Sequence, residues 1–369
     1  MRGDNIKIII VDMKRSGIFM GGDVHIDILQ SIYREKYHID VVRSVMTSKF
    51  QKFDVFSNTV ALIKALFLPI DRKFKELCRS AIVIAPNPYP FFVITALKIS
   101  KSVRGYPVIY FHHLSLSLKF ITRRGILRTL MNYFLHLSTL SICKVLAIPI
   151  FLDNPKTYNI KGMDIFKDED APDQSFESKN FDNKKNFDLC YIGRFEKHKG
   201  AIDIIKVTGL LKKSNVSVRV AIVGHVSERY KRKALKILEA NNLNESFFFF
   251  GTVDNQTKLN ILCSSKIYLH LSYEEGWGMS VMDAAYAGIP IVAYNLPAYS
   301  YLKGKYNSVR VGDIKEAAST IKNVISNYSD AISIAEEAKK LVSAYNYLDI
   351  AKYQIASYEE IIDKRAIRQ

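Results

Sequence analysis

The sequence predicts an α/β protein built from two doubly wound, Rossmann-like domains facing a central cleft. Three observations carry that prediction. Short, continuous apolar runs alternate with helix-patterned segments along the whole chain. The alternation breaks once, over a polar, acidic and then Asn/Lys-rich stretch at 164–188. A strand-like run at 267–271 leads through acidic residues and a Gly-x-Gly turn into a helical segment. Apolar runs of this kind are strands buried on both faces, which requires a parallel sheet covered by helices. Such sheets bind ligands at the carboxyl ends of their strands. The 369 residues fit one large or two medium domains, and 48% hydrophobic content is enough to fill their cores.

In the first half the pattern predicts strands over 6–11, 39–43, 81–85, 108–111 and 145–148, and helices over 23–35, 59–67, 90–100 and 116–139. Residues 164–188 read as the crossing between domains or a surface loop. The alternation then restarts, with strands over 189–192, 218–223, 247–250, 267–271, 290–293 and 308–311. Helices are expected over 201–213, 228–241, 256–264, 279–287, 314–328, 331–345 and 348–367. The resulting division is 1–165 for the first domain, 166–347 for the second, and 348–369 as a C-terminal helix. The four Phe of 247–250 read as a buried strand.

Bulk composition narrows the function. Cys78, Cys143, Cys190 and Cys263 are scattered, without C-x-x-C or metal-ligand spacing. That argues for a reducing compartment and against a disulfide framework or a metal site. The N-terminus enters a strand pattern directly, so no signal peptide is expected. The longest apolar tract, 137–152, is broken by Lys144 and Pro149 and reads as a helix end followed by a buried strand. Net charge is +17 and uneven: residues 1–161 hold 24 Lys and Arg against 10 Asp and Glu, and the remainder 29 against 26. A basic half beside a near-neutral half suggests a polyanionic surface or acceptor on the N-terminal side.

Five local patterns carry chemistry. Glu275-Gly276-Trp277-Gly278-Met279 joins the strand over 267–271 to a helix, leaving N–H groups at a helix start where an anion such as phosphate is favoured. Glu275 and Asp283 flank that turn and can accept hydroxyl groups. Gly193-Arg194-Phe195-Glu196-Lys197-His198-Lys199-Gly200 also lies between a strand and a helix, with Arg194 able to fork onto phosphate and Lys199 adding a point charge. In the first half, Gly21 and Gly22 form a loop ahead of the first helix, and His112 and His113 close the fourth strand. Adjacent strand residues point to opposite faces, so at most one of these two faces a cleft. Lys119, Arg123, Arg124 and Arg128, interleaved with Phe120, Ile121, Ile126 and Leu127, suit an interfacial helix on anionic lipid or the solvated basic face of a core helix.

These motifs resemble the retaining GT-B glycosyltransferases of the glycosyl transferases group 1 family. Residues 275–283 are similar to its donor signature of Glu, seven residues, Glu, with Trp277 for Phe and Asp283 for the second Glu. Residues 193–200 resemble its Gly-Arg-Leu-x-x-x-Lys-Gly motif. Gly224 ends a strand as in the family's Val-Gly-x-Gly, although Val226 replaces the second Gly. The likeness spans nearly the whole chain and is strongest over 189–295.

The resemblance implies metal-independent, retaining transfer of a sugar from a UDP- or GDP-linked donor to a hydroxyl, with no cofactor beyond that co-substrate. Arg194 and Lys199 would hold the diphosphate. Glu275 would hold sugar hydroxyls, and Asp283 the ribose diol. Gly21, Gly22, Gly193, Gly224, Thr252, Val253, Gly276, Trp277, Gly278 and Met279 would line the donor, with Gly251 to Val253 meeting the base. His112 or His113 would lie near the reactive sugar. His25 falls one residue earlier than the family's His, and no role is carried over to it. The first domain would bind the acceptor, and the final helix would cross back onto it as in relatives. With the basic first half, this points to a lipid-linked or surface-polysaccharide acceptor and to a cytoplasmic enzyme peripheral to the inner membrane face. Glycosylation of nucleic acid would also explain the charge, but no nucleic-acid module or base-stacking pattern is recognisable. A non-catalytic nucleotide-sugar-binding subunit is the third reading, prompted by Asp283 and Val226.

Overall fold

The computed structural model describes residues 6–13, 21–46, 70–111, 126–153, 160–176 and 184–368. The chain divides into two compact units. One takes in the described residues up to Asp170 together with the last helix, Tyr347–Arg368; the other is Ala171–Asn346. The division therefore falls at Asp170/Ala171 and Asn346/Tyr347.

The first unit runs β1 (Lys7–Met13), α1 (Gly21–Tyr37), β2 (Asp40–Met46), α2 (Arg72–Leu77), β3 (Ile82–Ala85), α3 (Pro90–Val103), β4 (Tyr106–Phe111), α4 (Ile126–Val145), β5 (Ile150–Asp153) and β6 (Ile165–Asp168). Its strands form one parallel sheet in the order β2-β1-β3-β4-β5-β6. Ile8, Ile9, Ile82, Val83, Val108 and Ile109 are fully buried. That is the signature of a sheet covered on both faces, and it is why these runs lack polar alternation. Within this unit the last helix packs on α1 and β6. Tyr110 and Tyr358 share a hydroxyl hydrogen bond of 2.6 Å, and Tyr33 donates to Gln354. His25, on α1, is buried between Asp168 and Asp170. Burial disfavours its charge, but the two carboxylates outweigh that and raise its pKa well above the ordinary value.

The second unit runs β7 (Phe187–Ile192), α5 (Ala201–Lys213), β8 (Val220–Val223), α6 (Glu228–Ala240), β9 (Phe247–Gly251), α7 (Asn255–Cys263), β10 (Ser265–His270), α8 (Met279–Tyr286), β11 (Ile291–Tyr294), β12 (Asn307–Val309), α9 (Ile314–Ser326) and α10 (Tyr328–Val342). The sheet is again parallel, in the order β12-β11-β10-β7-β8-β9. Counted from β7, this is the doubly wound order in which the chain starts in the middle, builds outward through β8 and β9, and returns to the other side through β10. The reversal between β7 and β10 is the topological switch point, where the loops leaving both strands diverge and open a crevice.

Several sequence-based expectations are corrected. The strand placed at 145–148 does not form: α4 continues to Val145 and β5 starts at Ile150. The helix expected over 116–139 is described only from Ile126 onward, and the one over 59–67 lies outside the described residues. β6 occupies part of the stretch read as a loop or crossing. Gly21 and Gly22 are the first residues of α1 and not a loop before it. The Phe run is not a buried strand. β9 is the sheet edge, and only Phe247 is buried while Phe250 is 40% exposed.

Candidate functional site

At the carboxyl ends of β7, β8 and β9, three backbone segments approach so closely that side chains are excluded. Gly224 N–H donates to Gly251 O at 2.7 Å, and Gly193 N–H to Val223 O at 2.9 Å. A Cβ on Gly224 would lie 2.2 Å from the Gly193 carbonyl oxygen, and Gly224 has φ 126°. Glycine is therefore required for both shape and dihedral. Gly193 is held the same way: a Cβ there would lie 2.8 Å from the Tyr191 hydroxyl, which donates to Arg194 O.

The loop after β7 delivers its charges through a short 3-10 turn, Lys197–Lys199, that ends on Gly200 in the left-handed region at φ 77°. Arg194 extends beside Glu196, with Nη1 3.2 Å from Oε1 and its side chain 37% exposed. Glu196 also meets the buried His198 at 3.2 Å. Lys199 turns inward, and its Nζ lies 2.8 Å from both carboxylate oxygens of Glu275. Two residues 76 positions apart in sequence thus meet at the switch point between β7 and β10.

Glu275 is largely enclosed, its side chain 12% exposed, which opposes its ionisation. The Lys199 ammonium and His270 outweigh that and hold its carboxyl well below the usual range. His270, the last residue of β10, places Nε2 2.9 Å from Glu275 Oε1 and Nδ1 3.0 Å from the Tyr268 hydroxyl. Neither His270 nor Tyr268 stood out in the sequence. A His inside the apolar run 267–271 reads as a core residue, and only the turn after β10, which folds Glu275 back onto it, reveals the contact.

The turn after Glu275 is shaped by packing. Trp277 is buried, stacked on Tyr301 at 5.2 Å, so its ring belongs to the core and its backbone alone borders the turn. Gly278 caps α8 at φ 84°, and a Cβ there would lie 2.6 Å from Tyr299. Met279 and Ser280 open the helix, where N–H groups have no carbonyl one turn earlier to accept them. Positive potential is therefore available at the helix start, four residues after the carboxylate that Lys199 holds.

Asp283 lies one turn into α8 but is engaged on both oxygens. It accepts from Asp173 N–H at 2.9 Å and from Lys258 Nζ at 3.2 Å. Burial disfavours the Lys258 charge, but Asp283 and Asp173 outweigh it and raise its pKa. A ribose reaching Asp283 would share or displace these partners. Thr252 and Val253 follow β9, with Val253 half-buried against the core of this unit.

His112, His113, Lys119, Arg123 and Arg124 lie outside the described residues, as does the side chain of Arg128 in the first turn of α4. Gly21 and Gly22 belong to the first unit.

Residues 173–341 match the model of the family described as glycosyl transferases group 1. An uncharacterized glycosyltransferase of Methanocaldococcus jannaschii is 30% identical over 210 residues, 55% of this chain and 51% of that protein. The phosphatidylinositol N-acetylglucosaminyltransferase GPI3 subunit of Saccharomyces cerevisiae is 24% identical over 204 residues, 53% of this chain and 43% of that one. The chain thus spans about half the length of these curated relatives. Among solved structures, Anabaena Alr3699/HepE in complex with UDP and glucose superposes with a TM-score of 0.68 at 16% identity, over 96% of this chain and 100% of that one. At that identity the likeness is one of fold.

Proposed function

Because residues 173–341 place the chain in the glycosyl transferases group 1 family, we propose that it is a retaining glycosyltransferase. It moves a sugar from a UDP- or GDP-linked donor to a hydroxyl of a lipid-linked or surface glycan. The observation that carries this reading is the meeting of Lys199, Glu275 and the α8 start at the β7/β10 switch point. A cation, a hydroxyl acceptor and a helix N-terminus are the three groups that a diphosphate joined to a sugar requires there.

In the proposed mechanism Arg194, Lys199 and the N–H groups at the start of α8 stabilise the departing diphosphate, so the positive charge comes from the chain and no metal is needed. Glu275 orients the donor sugar through its hydroxyls. The bond from the anomeric carbon to the diphosphate oxygen breaks while a bond to the acceptor oxygen forms on the same face. The acceptor proton passes to the leaving phosphate oxygen. Asp283 serves the ribose in exchange for part of its hold on Lys258 and Asp173.

A membrane-surface acceptor is supported by the basic first half and by α4. That helix carries no acidic residue, and Phe134, Leu137, Ile142 and Val145 on it are exposed. Among the described residues no helix is long and apolar enough to cross a membrane. A non-catalytic nucleotide-sugar-binding subunit would use the same Lys199–Glu275 pair, so turnover of a donor is what separates the two readings. The test is sugar release from UDP-glucose, UDP-N-acetylglucosamine and GDP-mannose by wild type and by Arg194→Ala and Lys199→Ala. Turnover of one donor that falls about 100-fold or more in both variants is expected, as for loss of transition-state charge stabilisation. Absence of turnover with all donors, or equal turnover in the variants, would overturn the proposal.

A further inference from the structure

We propose that His270 is a positioning residue for Glu275, presenting an Nε2–H to one of its carboxylate oxygens. This rests on the role given to Glu275 above.

His270 is 2% exposed, and its ring is held by neighbours on three sides. Tyr191 and Tyr268 lie nearly parallel to it, with centroids at 5.8 and 5.7 Å and planes 17° and 20° apart, and Tyr299 meets it edge-on at 6.2 Å. With the ring plane fixed, its two nitrogens point at fixed partners: Glu275 Oε1 from Nε2 and the Tyr268 hydroxyl from Nδ1. An ionised carboxylate only accepts hydrogen bonds, so Nε2 carries the hydrogen. Tyr268 can meet Nδ1 because its hydroxyl both donates and accepts. The same hydroxyl donates to the Ile192 carbonyl at 3.2 Å at the end of β7, sharing its one hydrogen between that oxygen and Nδ1, and is hydrogen-bonded by Ser280 in the first turn of α8. One buried chain therefore ties β7, β10 and the start of α8 to a single carboxylate.

The consequence is a division of labour on Glu275. Lys199 draws on both oxygens, and as a flexible point charge it sets no single orientation. The imidazole N–H is rigid and holds Oε1 in one direction, which leaves Oε2 aimed by default. Without His270 the carboxylate keeps its charge and its lysine but loses its angle. Recognition of the sugar suffers, while the diphosphate still finds Arg194 and α8.

The test separates sugar from nucleotide. Wild type is titrated with UDP, UDP-glucose, UDP-N-acetylglucosamine, GDP and GDP-mannose, and the tightest nucleotide sugar is compared with its nucleoside diphosphate in His270→Phe and His270→Gln. His270→Phe keeps the ring and removes the donor. It should reduce the affinity gained from the sugar about tenfold or more, the value of a hydrogen bond to a charged group, with nucleoside diphosphate affinity within about twofold of wild type. His270→Gln returns an N–H at similar reach and should restore most of the loss. Equal weakening of nucleotide and nucleotide sugar, or no rescue by Gln, would overturn the proposal. A second arm needs no donor: nitrogen NMR of histidine-labelled protein should show Nε2 of His270 bearing hydrogen, and a bare Nε2 would also overturn it. If wild type binds no nucleotide sugar the proposed function fails, and the NMR arm still decides the geometry of His270.

Discussion

Replacing Lys199 by Met isolates the ion pair around which the site is built. Lys199 and Glu275 are 19% and 12% exposed in their side chains, so solvent screening weakens the pair little. Removing one partner of a buried pair costs about 3–5 kcal/mol, because the remaining charge is desolvated and uncompensated. Here His270 keeps one charge-assisted hydrogen bond on Oε1, so the loss should lie near the lower end, about 3 kcal/mol. The probe is built in: Trp277, the single tryptophan of the chain, is buried in the core of the same unit two residues from Glu275. Urea titration followed by its emission therefore reports this unit. The pH dependence has a definite sign. The Glu275 carboxyl has a depressed folded pKa, so the pair contributes fully above the unfolded carboxyl value of about 4.3. Its contribution is lost as pH falls through the folded value. The gap between wild type and Lys199→Met should thus be full at neutral pH and shrink in acid. Lys199→Met/Glu275→Gln should recover much of the loss by removing the stranded charge. A loss under about 1 kcal/mol at neutral pH, or a double variant no more stable than the single, would refute the electrostatic reasoning.

Four further outcomes follow from the same structure. Gly224→Ala should cost about 3 kcal/mol or more, since it adds a backbone clash to a dihedral of 126°, whereas Gly251→Ala, at φ 69° but with open space around its Cβ, should cost about 1 kcal/mol; equal losses in urea titrations would contradict the close-approach argument. His25 has a raised folded pKa between Asp168 and Asp170, so its stabilisation is complete below about pH 6.5 and is lost as pH rises through the folded value; thermal midpoints should fall on that side in wild type and flatten in His25→Gln. Burial pushes the Cys143 and Cys190 thiols up to about 12, so iodoacetamide should leave both unmodified in the native protein near pH 8, as mass spectrometry of the peptides would show. Asp283→Ala strands Lys258 with Asp173 alone and should lower stability by about 1–3 kcal/mol; if donor affinity is unchanged in that variant, Asp283 belongs to the scaffold and not to the ribose subsite.

The fold was legible wherever local pattern and tertiary environment agree. Buried parallel strands such as Ile82–Ala85 and Val220–Val223 are uniformly apolar because both faces are covered, and they stand out in the sequence for that reason. The tract at 137–152 is a helix end followed by a buried strand, as its sequence reads, but the strand was placed too early because an apolar run fits a helix end and a strand equally well. α4 takes it through Val145 while leaving that residue 82% exposed, which a sequence pattern cannot distinguish from burial. β6 was hidden in polar surroundings because this four-residue edge strand buries only Phe166 and Asp168, and the second of these is charged. Lys199, Glu275 and Gly278 could be picked out because each belongs to a short motif whose spacing is local. His270 and Lys258 could not, because their chemistry exists only once the turn after β10 folds Glu275 back onto His270 and α7 has brought Lys258 against α8.

The switch point between β7 and β10 is proposed to hold a nucleotide sugar's diphosphate. The direct measurement is a crystal structure with UDP or GDP soaked in. Phosphate oxygens are expected within hydrogen-bond distance of Arg194, Lys199 and the first N–H groups of α8, with Lys199 drawn from Glu275 towards the ligand. A nucleotide bound elsewhere, or phosphates with no contact to those groups, would contradict it.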